Sequence, residues 1–223
     1  MAAHAQSISS AFGSSVRSGP VAADVRPARL EDVQAILALH QIAFADKFGG
    51  AFGASRIDRG AAALAAAWRR QGPGALRGMF VAVHNNAVIG TASLRTWEMG
   101  LDDGGAAELA FQEELGIWGA TRSLFALSLL DHRIERGEGF ITDVAVAEPY
   151  RRGGVARALL NRIEVEARMR NKRFLGLYVS AANSGAHALY LKLGFFDQRI
   201  RRSLLAWLIF GQGRWVYMRK EVA

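Results

Sequence analysis

The spacing of apolar residues changes period along the chain, and the changes mark its elements. Val25 to Ala28 is a short strand candidate. Leu30, Val33, Ile36, Leu37, His40 and Ala43 then recur at helical spacing. Lys47 to Gly53 is rich in glycine and reads as a loop, and Ala61 to Arg70 as a second helix. Met79 to Val83 and Ala87 to Arg95 are strands joined by the hairpin signal Asn85-Asn86, with Gly90 marking a bulge or a close approach. Ala106 to Gly116 and Trp118 to Ile134 read as helices. Phe140 to Val146 is strand again, and Glu148-Pro149 ends it because proline cannot donate to a ladder. Ala156, Leu160, Ile163 and Ala167 define a helix that begins near Gly154. Phe174 to Ser180 is a strand; Ala186, Leu189, Tyr190 and Leu193 share one face of a short helix that Gly194 ends; strand resumes at Phe195. Ser203 to Gly213 is an apolar insertion before a last strand, Trp215 to Met218. One domain over 24–223 is predicted. Residues 1–23 are rich in Ala, Ser and Gly and have no acidic residue, which predicts a flexible tail. The same composition suits an organelle transit peptide, against which stands Arg17 as its one basic residue.

The strongest local signal runs from Gly139 to Leu160, where a strand leads into Gly153-Gly154 and then a helix. The first turn of a helix has free N–H groups and a positive dipole end. Glycines let a ligand approach that backbone, and Arg151, Arg152 and Arg157 add positive charge around it. The arrangement suits a phosphate. Neither the G-x-G-x-x-G dinucleotide fingerprint nor the G-x-x-x-x-G-K-[ST] P-loop is present. For this stretch alone, a basic turn that merely starts a helix is the alternative.

Composition narrows the classes. The chain has no cysteine, which excludes disulfides and thiolate zinc sites and fits a reducing, cytoplasmic compartment. The histidines at 4, 40, 84, 132 and 187 show no paired ligand spacing, so no metal is expected. The longest strongly apolar run, Leu204 to Phe210, is too short to span a bilayer. The net charge of +8 is uneven: residues 151–223 carry 15 Lys/Arg against 4 Asp/Glu, or +11, and residues 1–150 carry 13 against 16, or −3. A basic half invites nucleic acid or a polyanionic small ligand. No aromatic-basic interleaving appears, so nucleic acid is not the expected partner.

Two motifs, in order along the chain, resemble those of the GCN5-related N-acetyltransferases (GNAT). Arg151-Arg152-Gly153-Gly154-Val155-Ala156 fits the Q/R-x-x-G-x-G/A turn with which that family binds the pyrophosphate of acetyl-CoA. Asn183-x-x-Ala186-x-x-x-Tyr190-x-Lys192-x-Gly194-Phe195 resembles its N-x-x-A-x-x-x-Y-x-x-x-G-F block, with one helix and one strand between the two. The resemblance covers roughly 24 to 220 and is strong from 139 to 196. It implies an α/β (mixed α+β) fold with a central, mixed, mostly antiparallel sheet of about seven strands. That sheet would be splayed in the middle and flanked by helices, with 98–136 as a helical insertion before the central strand. It further implies an acetyl-CoA-dependent N-acetyltransferase, with acetyl-CoA as co-substrate and direct attack by a primary amine in a ternary complex. The alternative is a non-catalytic acyl-CoA-binding regulatory domain of the same fold, against which Tyr190 argues.

The resemblance places residues in roles. The backbone of Val144 and Val146 would meet the cofactor and stabilise the oxyanion. Arg151, Arg152, Gly153, Gly154, Val155, Ala156 and Arg157 would hold its phosphates. Asn183 would hydrogen-bond the pantetheine, cap a helix, or both. Tyr190 would protonate the leaving thiolate, or else is a core tyrosine with its hydroxyl at the surface. Phe48 and Phe52 would line the acceptor wall, or else only pack. A protonated amine needs a base, and none is evident: Glu138 and Asp143 are candidates, Asp143 equally an edge carboxylate, and Tyr178 stands where some relatives carry a glutamate. Segment 98–136 holds eight acidic residues and three arginines, a net −5, which departs from the family's short connection. Near the acceptor groove it would favour a cationic amine, small molecule or peptide; otherwise it is a solvated cover or a dimer contact, and a homodimer is left open.

Overall fold

The computed structural model describes residues 19–99, 104–129 and 131–222. Residues 1–18 of the expected tail, and Asp102 and Asp103 of the expected insertion loop, lie outside them. Seven strands form one sheet in the order β1-β2-β3-β4-β5-β7-β6: Asp24–Pro27 (β1), Met79–His84 (β2), Ala87–Thr96 (β3), Glu138–Val146 (β4), Phe174–Ser180 (β5), Phe196–Arg202 (β6) and Arg214–Glu221 (β7). All neighbours are antiparallel except β4 and β5. Asn85 and Asn86 both take positive φ, 49° and 61°, the backbone that a two-residue hairpin between β2 and β3 needs.

The helices cover both faces. Helix α5 (Val155–Met169) lays Leu159, Ile163 and Ala167 on one face, against Ile89, Leu94, Ile141, Leu175, Leu177 and Met218. Helix α6 (Ser184–Lys192) closes the end of that core with Tyr190. On the other face, α1 (Val33–Ala43) and α3 (Ile57–Gln71) bury Val33, Ile36, Leu37 and Ala65 over Met79 and Val81. A separate cluster joins α2 (Ala45–Phe52), α3, α4 (Gly104–Ser128) and α7 (Leu204–Phe210) around Phe48, Phe52, Phe111 and Phe210.

Three segments depart from the expected elements. Lys47 to Gly53 is not a loop but most of α2. Its glycines serve close packing, since a Cβ on Gly50 would collide with the Phe210 ring and lie 2.6 Å from the Ile209 carbonyl oxygen. The two insertion helices are one run broken at Gly116 (φ 72°, ψ 168°), and the second ends at Ser128 rather than Ile134. Past that point the backbone is claimed by tertiary partners: Arg201 donates to the carbonyls of Leu129 and Asp131, at 3.0 Å each. Val21 and Ala23 of the expected tail are packed. Val21 N–H donates to Gly153 O at 2.9 Å, and Val21 and Ala23 lie against the main core.

Candidate active site

Strands β4 and β5 pair only from Glu138–Phe174 to Ile141–Leu177. Beyond that level β5 stays with β7, β4 stays with β3, and a gap opens between them. The cause is local. Asp143 has φ 55°, a left-handed conformation that Asp tolerates better than most residues. It inserts one extra residue in β4, since Thr91 pairs Ala145 while Ser93 pairs Thr142. After this bulge Ala147 N–H donates to Ile89 O at 2.8 Å. Bonded positions alternate in an antiparallel ladder, so the N–H groups of Val144 and Val146 face the gap.

Thr91 pins the bulge. Its hydroxyl donates to Asp143 O at 2.8 Å, and His40 Nε2 lies 2.9 Å from Thr91 Oγ1 itself. The one hydroxyl proton is already used, so His40 carries its proton on Nε2 and donates it. Burial holds the His40 imidazole below its ordinary pKa; Asp143 opposes this and Lys47 reinforces it. The Asp143 carboxylate accepts from Thr142 Oγ1 at 2.8 Å. His40 and Thr91 are a pair the sequence does not expose, because they lie far apart in it and His40 reads only as a helix position.

The turn after β4 supplies the donors. Gly154 takes φ 85° and caps α5 without a side chain, and Arg152 takes φ 64°. Among the described residues no acceptor meets the N–H groups of Arg152, Gly154, Val155, Ala156 or Arg157. A Cβ on Gly154 would meet nothing within 4 Å, so its outer side is open, while one on Gly153 would collide with Val21. Arg151, Arg152 and Arg157 are exposed, and Arg151 Nε donates to Val146 O at 3.2 Å. Val155 is buried in the core, and a Cβ on Gly90 would stand 3.0 Å from it, so Gly90 marks the close approach of β3 to α5.

Asn183 caps α6, its side chain accepting from Ala186 N–H at 3.0 Å. Tyr190 is buried, 6% exposed, with its ring edge-on to Phe195. Burial pushes its pKa up to about 12. Its hydroxyl has no hydrogen-bond partner among the described residues. Phe48 and Phe52 turn inward: Phe52 packs on Phe111 at 5.8 Å, and both rings belong to the α2–α4–α7 cluster.

Glu138 lies at the start of β4 and is 1% exposed. Burial alone would raise its pKa, but donors outweigh it and hold it below the usual carboxylate range. Those donors are His132 Nε2 at 2.9 Å, Tyr217 O–H at 2.6 Å and Glu135 N–H at 3.1 Å. A Cβ on Gly176 would collide with Glu138 and Tyr217, so only glycine leaves room for this network. The expected acidic patch is dispersed. Glu98 pairs with Lys172 at 2.6 Å, and Glu113 pairs with Arg70. No group of three or more His, Asp or Glu among the described residues is placed to hold a metal ion, and no helix among them is long and apolar enough to cross a membrane.

The acetyltransferase (GNAT) family model matches residues 38–195, which contain the bulge, the turn and Tyr190. The chain belongs to this family. That family is one of acetyltransferases. Over 66 residues it is 41% identical to the ribosomal protein bS18-alanine N-acetyltransferase of Escherichia coli (strain K12), a match covering 30% of this chain and 45% of that one. The aligned part is therefore less than half of that relative's length. A crystal structure described as an acetyltransferase is similar with a TM-score of 0.61 at 25% identity, covering 90% of this chain and 100% of that one. The PaiA N-acetyltransferase from Thermoplasma acidophilum, in complex with coenzyme A, shares the fold with a TM-score of 0.56 at 13% identity over 90% of this chain and 99% of that one.

Proposed function

We propose that this acetyltransferase moves an acetyl group from acetyl-CoA to a primary amine by direct attack in the β4–β5 gap. The observation that carries the reading is the junction of two donor sets: the gap-facing N–H groups of Val144 and Val146, and the unpartnered N–H groups from Arg152 to Arg157. The turn holds the pyrophosphate, with Arg151, Arg152 and Arg157 adding charge. Val144 N–H donates to the thioester oxygen as negative charge develops on it. The amine nitrogen bonds to the carbonyl carbon as the C–S bond breaks, Tyr190 gives its proton to the departing sulfur, and the proton shed by the acylated nitrogen returns through water to the Tyr190 phenolate. A phenol near pKa 12 stays protonated at working pH, so its O–H is present when the thiolate forms. Asn183 orders the first turn of α6 and so the approach to Tyr190.

The acceptor is read as a peptide α-amine. The support is the 41% identity over 66 residues to an enzyme named for acetylating an alanine of a ribosomal protein. The cofactor turn is tested by substitution. Gly154→Asp puts a carboxylate on the open side of the turn, and acetyl-CoA binding by calorimetry should weaken at least about tenfold in a protein that stays folded, because like charges oppose. Equal affinity in the variant removes the turn from the site.

A further inference from the structure

On the face of the sheet opposite α5 lies an open cavity of about 680 Å³, lined by Trp97, His132, Arg133, Glu135, Arg136 and Arg199. It adjoins the β4–β5 gap through Tyr178, the first β5 residue past the last β4 pair. Tyr178 is edge-on to His132 at 5.5 Å, and its hydroxyl accepts from Arg199 Nη2 at 3.3 Å. The guanidinium groups are held in place without carboxylates. Arg136 stacks on Trp97 at 4.6 Å and Arg199 on Tyr217 at 4.8 Å. Among the described residues Arg133, Arg136 and Arg199 form no ion pair, whereas Arg26, Arg70, Arg162, Arg168, Arg170 and Arg219 each do. His132 is anchored through Nε2 on buried Glu138, and its Nδ1 has no partner among the described residues. Glu135 is the one carboxylate lining this cavity. Clustered cations repel one another, and an anion between them relieves that repulsion.

We infer that this cavity is an anion-recognising subsite of the acceptor cleft, in which Arg133, Arg136 and Arg199 select peptide amines bearing a carboxylate side chain a few residues beyond the reacting nitrogen. The inference rests on the reading of the β4–β5 gap as the transfer site. Arg199 is on β6, two strands past β5 in the sheet order. At about 4.8 Å per strand its backbone is roughly 10–15 Å from the gap, and its guanidinium reaches back over Tyr217 to the Tyr178 hydroxyl, roughly 7–10 Å from the gap. An extended peptide rises about 3.3 Å per residue, so the carboxylate falls near its third to fifth residue. The volume suits one or two side chains rather than a nucleic-acid strand. The preferred acceptor is then acidic, the reverse of what the net charge of segment 98–136 suggests.

The test uses alanine-initiated heptapeptides with Glu, Gln or Lys at positions 3 to 5. Binding to the coenzyme A-loaded protein is read by calorimetry, and turnover with acetyl-CoA by thiol release. The Glu peptide should bind at least about tenfold tighter than the Gln peptide and the Lys peptide most weakly, the spread shrinking as salt screens the charges. Arg133→Glu with Arg136→Glu should abolish or invert that order and leave the affinity for acetyl-CoA unchanged. If that pair unfolds, Arg133→Gln with Arg136→Gln should flatten the order. Equal binding of all three peptides by the wild-type protein, or an order that survives the double substitution, overturns the subsite. So does oligouridylate binding that is lost in the double variant while the peptide order persists, which would mark a nucleic-acid surface. Ordered binding without thiol release keeps the subsite and removes the transfer reading; release without order does the opposite.

Discussion

The two faces of the sheet are built by different means. The α5 face is one continuous core, and the turn that opens α5 is set by consecutive residues, Arg151 to Arg157. Its donors are backbone N–H groups, so their direction follows from the chain's local path. The opposite face is assembled from α1, α2, α3, α4 and α7 and from the coil before β4. There the features that matter are side chains brought from far apart: His40 to Thr91, His132 to Glu138 and Tyr217, Arg199 to Tyr178. A site for an invariant cofactor can be written into a short motif. A site for an acceptor that differs between enzymes is made by packing variable segments against each other.

Removing the acid on the α5 face should have the largest effect. Tyr190→Phe keeps the ring against Phe195 and discards an O–H that has no internal partner, so stability should hold. Turnover should fall about 100-fold while acetyl-CoA affinity stays put, because the lost interaction belongs to the transition state. Unchanged turnover would leave that face a binding platform only. Thr91→Val reaches the gap from the opposite face. It strands the His40 Nε2–H and the Asp143 carbonyl, at a cost of about 1–3 kcal/mol in a urea melt. If the bulge aims Val144 N–H, kcat should drop about tenfold with acetyl-CoA affinity retained, and Thr91→Ser should restore it.

A smaller effect follows from His40. Burial depresses its pKa from the ordinary 6.5, so below that value the unfolded chain binds more protons than the folded one. Its contribution to stability therefore rises as pH climbs towards about 6.5 and is level above it. His40→Gln should flatten that part of a plot of urea midpoint against pH; an unaltered slope would mean the imidazole is not desolvated. The smallest effect is expected from Glu108, Glu113 and Glu114 changed together to Gln. Glu113 is engaged by Arg70 and Glu108 accepts from Gln112, so the acceptor's KM and its salt dependence should not move. A clear change would bring the acidic segment back into acceptor choice.

The amino-acid sequence by itself determined the order of strands and helices, the Asn85-Asn86 hairpin, the Gly153-Gly154 turn and the Asn183 cap. Each is a local property: a period, a backbone conformation or a hydrogen bond between near neighbours. Tertiary structure decided the rest. It made Lys47 to Gly53 helical, because Gly50 lets α2 lie against α7. It turned Phe48 and Phe52 inward onto Phe111, and it set Glu98 of segment 98–136 on Lys172 and Glu113 on Arg70. It also placed Asp143 in a bulge held by Thr91 and His40. Net charge is a sum along the chain, whereas a field is set by positions in space. Which carboxylates are paired, and which guanidiniums are left facing a cavity, is therefore fixed only when distant segments meet.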